Sequence, residues 1–288
     1  MDNQELTPMS EVINKIIDRT TNIQSKSDDY LGDDGLMYCS NCHTRKQIHK
    51  EISGELRILP IMCDCREKQV KKEDEEKAEQ QHRIYINNLK SRGVTDKAYF
   101  QWTFASDDNA NKKLTEICHK YVDNWDAVKK ANQGIIFSGG VGTGKTFYAC
   151  CIGNALLDKG VSVLITNFAK ILNTLQNFYS EEKEDFIKSL QKYSLIIIDD
   201  LGVERSTDFA LEQMFNIIDT RYRSGLPLII TTNLTPKELK NPSELKIQRI
   251  YDRILEKCAF VIVDGISRRK NLSEQNRTEL SGILGIDL

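Results

Sequence analysis

At 288 residues, with 40% hydrophobic and 28% charged side chains, the chain has the make-up of a globular protein with room for one large and one small domain. The formal net charge of −2 excludes a globally basic nucleic-acid binder, so any surface for a polynucleotide must be local. No apolar run reaches the roughly 18 residues of a spanning helix, and Met1-Asp2-Asn3-Gln4-Glu5 lacks the basic and apolar regions of a secretory signal, so a cytoplasmic location is expected.

Val12, Ile13, Ile16 and Ile17 recur at helical spacing within Ser10 to Thr20. That pattern predicts a short amphipathic helix, packed on the next module or docked onto a partner. Ser25 to Gly35 is polar and Asp/Gly-rich and reads as a linker. Cys39-Ser40-Asn41-Cys42 follows, then 20 residues, then Cys63-Asp64-Cys65. Four thiolates on two turns suit tetrahedral Zn²⁺. The C-x-C pair is tighter than the usual C-x-x-C, which leaves His43 and His49 as substitute ligands if Cys63 or Cys65 is not used. The competing readings are four unligated thiols or two disulfides. A module of about 40 residues has little core, so a metal would supply much of its folding energy. The other cysteines, Cys118, Cys150, Cys151 and Cys258, sit among apolar neighbours and read as reduced core thiols.

Arg66 to Lys90 is charged with mixed signs and contains neither proline nor glycine, which predicts a long solvated helix. The expected organisation is therefore a helix and zinc module over 1–65, a helical linker over 66–93 and a nucleotide domain over 94–288. Tyr99, Phe100, Trp102 and Phe104 form an aromatic strap at the start of the last part. The strap is expected to pin the linker, with partial contact to a bound base.

Gly139-Gly140-Val141-Gly142-Thr143-Gly144-Lys145-Thr146 matches the phosphate-cradling pattern G-x-x-x-x-G-K-[ST]. Its context fits, with a strand over Gly134 to Ser138 before it and a helix over Phe147 to Lys159 after it. Glycines let backbone N–H groups wrap a phosphate, and the helix N-terminus adds partial positive charge. Lys145 then reaches the β- and γ-phosphates and Thr146 holds Mg²⁺. The bland reading is a glycine-rich turn between strand and helix. Further apolar runs at Val161 to Thr166, Leu195 to Ile198, Leu228 to Thr232 and Phe260 to Val263 alternate with helical stretches. They predict an α/β fold with a parallel sheet covered on both faces. The Leu195 run ends in Asp199-Asp200, roughly 50 residues after Thr146. Asp199 is expected at the Mg²⁺ shell and Asp200 at a water in line with the γ-phosphate. The Leu228 run ends at Asn233, placed to meet that phosphate and water.

Gly139 to Thr146, Leu195-Ile196-Ile197-Ile198-Asp199-Asp200-Leu201-Gly202 and Leu228 to Leu234 resemble the AAA+ ATPases of the helicase-loader group, DnaC/DnaI type, close to the IstB-type transposition ATPases. The resemblance covers roughly Val94 to Lys270, and the Cys-rich front is similar to that of loaders from Gram-positive bacteria and their phages. It implies that the strand carrying Asn233, as sensor 1, separates the two nucleotide-motif strands. It also implies a ring or spiral with ATP at subunit interfaces, reached by Arg253 as arginine finger, with Arg249 as runner-up. In Gly265-Ile266-Ser267-Arg268-Arg269, Arg269 is the first choice for sensor 2 and Arg268 the second. Phe178, Tyr179 and Arg205 fall nearest the family's contacts to single-stranded DNA, with core packing an equal alternative for the aromatics. The function implied is an ATP- and Mg²⁺-dependent switch that delivers the replicative helicase to single-stranded DNA, the zinc module gripping the helicase. The alternatives are an ATPase that serves a transposase and a phosphate-loop kinase for a small acceptor.

Overall fold

The computed structural model describes residues 28–52, 54–202, 207–265, 267, 277–284 and 286. The amphipathic segment expected at 10–20 lies outside the described residues. The chain divides into two compact units between Arg83 and Ile84.

In the first unit, β1 (Tyr30–Leu31) pairs with β2 (Met37–Tyr38), and β3 (Gln47–Ile52) pairs with β4 (Glu55–Pro60), both antiparallel. The β3–β4 ribbon is open on both sides and leaves Leu56 70% exposed. The described buried apolar residues of this unit are Leu36, Cys39 and Cys63. Lys46 pairs with a buried Asp29. Two-stranded ribbons are marginal in water without more support, so the packing here does not account for a folded unit. Helix α1 (Asp64–Gly93) begins earlier than the charge pattern indicates. Cys65 therefore lies in its first turn, and the helix carries part of the cysteine cluster instead of following it. Acidic Asp64 and Glu67 in the first turn and basic Lys90 and Arg92 in the last complement the helix dipole.

In the second unit, α1 ends where Gly93 meets the sheet, with Val94 bridged to Ile165. Two 3₁₀ turns follow, Lys97–Gln101 and Phe104–Ser106. Then come α2 (Lys112–Asp123), α3 (Trp125–Ala131), β5 (Gly134–Ser138), α4 (Lys145–Asp158), β6 (Val163–Asn167), α5 (Phe168–Gln176) and α6 (Ser180–Ser189). The chain continues through β7 (Leu195–Leu201), α7 (Asp208–Ser224), β8 (Leu228–Thr232), α8 (Pro236–Lys240), α9 (Leu245–Lys257) and β9 (Cys258–Ile262). The five strands form one parallel sheet in the order β6-β7-β8-β5-β9. Thus β8, which leads to Asn233, lies between the strands of the phosphate loop and of Asp199, as the resemblance implies.

Both faces of the sheet are covered. Ile196 and Ile198 pack on one side with Phe168, Leu175 and Met214, while Leu195 and Ile197 pack on the other with Tyr148, Ile152 and Leu156. This is why the strands read as continuous apolar runs rather than alternating ones. Two strand starts differ from the sequence pattern. Val161 belongs to the turn that Gly160 makes at φ +80, so β6 starts two residues later. Helix α9 runs directly into Cys258, so β9 starts earlier than Phe260. Cys118, Cys150, Cys151 and Cys258 are buried cysteines, and burial pushes the thiols of Cys118 and Cys258 up to about 12. No described helix is long and apolar enough to cross a membrane.

Candidate functional site

In the first unit, the Sγ atoms of Cys39, Cys42, Cys63 and Cys65 all lie within 4.8 Å of one another. Cys65 is 3.3 Å from Cys63 and 3.5 Å from Cys39. A zinc tetrahedron with arms of about 2.3 Å places its sulfurs roughly 3.8 Å apart, so the donor set fits this metal. The first pair sits on a tight knuckle. His43 N–H donates to the Cys39 carbonyl, Cys39 N–H donates to the Thr44 carbonyl, and His43 takes φ +54. The Thr44 hydroxyl lies 3.1 Å from the Cys42 sulfur and accepts from Asp64 N–H at 3.0 Å, joining the knuckle to the start of α1. That hydroxyl helps hold the Cys42 thiol down to about 5, whereas hydrogen bonds with Cys63 and Cys39 push Cys65 up to about 12. Thiols this close oppose one another's ionisation, and a divalent cation removes that opposition. Cys63 and Cys65 both join the cluster, so the condition for a histidine substitute is not met; His43 lies 3.2 Å from the Tyr30 hydroxyl and His49 is on the open ribbon.

In the second unit, the phosphate loop runs from the end of β5 to the start of α4, with Gly142 at φ +80 and Gly144 at φ +98. A Cβ at Gly139 would stand 2.2 Å from the Val263 carbonyl, and one at Gly142 would stand 2.2 Å from the Ser267 hydroxyl. Close approach of the chain after β9 therefore requires glycine at 139 and 142, and torsion favours it at 142 and 144. Lys145 is buried, and its Nζ donates to the carbonyls of Gly139 (3.0 Å) and Gly140 (2.7 Å) and to Asn233 Oδ1 (2.8 Å). Thr143 Oγ1 donates to the Gly140 carbonyl, Val141 is exposed at the tip, and Thr146 is half-buried in the first turn of α4.

The paired acids separate. Between Ile198 and Leu201 the β7–β8 register shifts, and Asp200 takes φ +56. Asp199 is buried and Asp200 exposed. Asp199 Oδ1 accepts from the Thr231 hydroxyl at 2.6 Å, and Thr231 Oγ1 in turn accepts from Asp200 N–H at 2.9 Å. Asp199 Oδ2 accepts from the Tyr99 hydroxyl at 3.1 Å. Burial pushes Tyr99 well above the ordinary phenol range, so it stays a donor. The Asp199 carboxylate meets two neutral hydroxyls and offers hard oxygen donors, and that fits Mg²⁺. Tyr99 belongs to the strap expected to pin the linker, with partial contact to a bound base. Its hydroxyl meets Asp199, and no local signal in the sequence announces that contact.

Arg253 stands apart from this cluster. Its Nε donates to Asp219 Oδ1 at 2.9 Å, one Nη donates to the Arg249 carbonyl, and the guanidinium lies 4.6 Å from the Phe215 ring centre. Arg249 is exposed on the same helix. Arg205, Arg268 and Arg269 lie outside the described residues. Phe178 is half-buried edge-on to Phe186, while Tyr179 is 83% exposed.

A family model described as IstB-like ATP binding protein matches residues 62–276. The replicative helicase loader DnaI of Bacillus subtilis (strain 168) is 30% identical over 151 residues, 48% of this chain and 48% of that one. The replicative helicase loader DnaC of Escherichia coli (strain K12) is 30% identical over 158 residues, 54% of this chain and 62% of that one. The chain thus spans about half to three fifths of the length of these relatives. A crystal structure of DnaI superposes with a TM-score of 0.51 at 22% identity, over 61% of this chain and 95% of that chain, a likeness of fold.

Proposed function

This chain belongs to the IstB-like ATP-binding protein family, and from that premise we propose that it is an ATP-hydrolysing loader that delivers the replicative DNA helicase onto single-stranded DNA. What carries the ATPase part is the convergence of Lys145, Asn233 and Asp199 at the ends of neighbouring parallel strands, joined by the Lys145–Asn233 hydrogen bond. In this reading the N–H groups of Gly139 to Gly144 wrap the phosphates. Lys145 exchanges its carbonyl partners for β- and γ-phosphate oxygens. Asn233 orients the terminal phosphate and the attacking water, and the exposed Asp200 aligns that water. Thr146 and Asp199 would hold Mg²⁺, which neutralises charge developing on the phosphate oxygens. Arg269 is the first choice for sensor 2, and Arg268 the second. The chain assembles with copies of itself, so that Arg253 meets a neighbour's ATP.

The loader assignment draws on the similarity to DnaI and DnaC, and the Cys39, Cys42, Cys63 and Cys65 unit is the proposed Zn²⁺-dependent grip on the helicase. The family's description supports a second reading, with the same ATPase serving a transposase. Affinity capture with the full-length chain, followed by identification of what it retains, separates them. A replicative helicase supports the loader and a transposase supports the alternative.

The nucleotide site has its own test. Lys145→Ala removes charge-assisted hydrogen bonds worth about 1.5–3 kcal/mol each, so ATP affinity should fall roughly 10²- to 10⁴-fold. Asp200→Asn should keep ATP affinity and slow hydrolysis. Equal ATP affinity in wild type and Lys145→Ala would sink the phosphate-loop assignment.

A further inference from the structure

We infer that Tyr99 is a positioning residue for the metal-binding carboxylate of Asp199, which makes the strap at the start of the nucleotide domain part of the ATP site. The inference rests on the ATP-site reading above and goes beyond it, because the strap lies outside every nucleotide motif in the chain.

The geometry is specific to the hydroxyl. The Tyr99 ring is buried and packs on Trp102 with centroids 5.2 Å apart. Phenylalanine would bury the same ring, so the hydroxyl needs a separate account. The partner the structure gives it is Asp199 Oδ2. The opposite oxygen, Oδ1, accepts from Thr231. Two hydroxyls on two oxygens fix the plane of the carboxylate while leaving lone pairs on both. Both are neutral, so they orient the acid without bringing a competing cation to it.

The strap is in turn held rigidly. Both amide hydrogens of Asn154, on α4, are spent on it, donating to the carbonyls of Tyr99 (2.7 Å) and Trp102 (2.9 Å). The Asp96 carboxylate caps the turn by accepting from Ala98 N–H at 3.0 Å. Thr95 donates to the Ile165 carbonyl at 2.9 Å, and Lys170 lies over the Tyr99 ring. The phenol is thus fixed from α4, α5 and β6 before any ligand arrives. Partners that orient a metal-binding group typically carry about 10- to 100-fold in metal affinity.

The test uses the full-length chain, with ADP as nucleotide and Mn²⁺ as a paramagnetic stand-in for Mg²⁺. Tyr99→Phe should raise the Mn²⁺ dissociation constant of the ADP complex about 10-fold or more, read by electron paramagnetic resonance. ADP affinity in excess chelator and the melting temperature should stay at wild-type values, because ring and fold are retained. Asn154→Ala leaves the hydroxyl in place but frees the strap, and it should weaken Mn²⁺ in the same direction. Unchanged Mn²⁺ affinity in both variants overturns the inference, as does an equal loss of chelator-insensitive ADP affinity, which would make Tyr99 merely structural. A wild type that binds no ADP at all removes the ATP-site reading itself, an outcome distinct from a wild type and Tyr99→Phe that bind Mn²⁺–ADP alike.

Discussion

Replacing Cys42 by serine is expected to strip the full-length chain of one bound zinc and to unfold its first unit, leaving the second intact. The apolar burial in that unit is too small to hold it. Leu36 is the one described aliphatic side chain buried there, and the β3–β4 ribbon presents Ile52, Leu56 and Ile58 to solvent. The four sulfurs connect the knuckle at 39–42 to the start of α1, which otherwise rest on the Thr44 hydroxyl and a few backbone bonds. Structural zinc contributes on the order of 10 kcal/mol in small modules, more than a unit of this size gains from packing. Elemental analysis should find one zinc per wild-type chain and none in Cys42→Ser. Hydrogen exchange should then show loss of protection along Gln47–Pro60 with no change along β5 to β8. Chelation of the wild type should reproduce both results. A zinc-free variant that keeps its protection in the ribbon would leave the four cysteines without a structural purpose.

Arg253→Ala is expected to lower ATP turnover by about 10³- to 10⁵-fold, the range an arginine supplied to a γ-phosphate commands in GTPases. The side chain is already oriented. Asp219 fixes its Nε, Phe215 backs its plane, and the Arg249 carbonyl takes another hydrogen. These partners belong to α7 and α9 rather than to the cluster of Lys145, Asn233 and Asp199. A cation held by α7 and α9, and not by the Lys145 cluster, has a use if it serves a second copy of the chain. Mixing Arg253→Ala with Lys145→Ala should therefore restore activity at interfaces where an intact finger meets an intact phosphate loop. If no mixture exceeds either parent, Arg253 is a structural cation of α9. Nucleotide affinity in Arg253→Ala should stay near wild type, in contrast to Lys145→Ala.

Much of this protein could be read without coordinates, where the physics is local. The phosphate loop is a run of glycines between an apolar strand and a helix, and positive φ at Gly142 and Gly144 is demanded by the turn itself. Four of the five strands lie buried on both faces, so their residue types show directly as apolar runs. The cysteine spacing points to a four-sulfur site and leaves His43 and His49 as substitutes, and the structure gathers all four sulfurs.

What the tertiary structure alone decided is which distant groups meet. Lys145 and Asn233 are 88 positions apart, and Tyr99 and Asp199 are 100 apart. Neither contact leaves a periodicity, because it depends on strand order and on where a neighbouring chain segment ends. The separation of Asp199 from Asp200 has the same origin. Two adjacent acids look alike in sequence, but a register shift against β8 buries one against Tyr99 and Thr231 and turns the other outward at φ +56. Local composition determined the elements and the chemistry they could carry. The pairing of β8 between β5 and β7, a non-local balance of burial and hydrogen bonding, decided which side chains share a site.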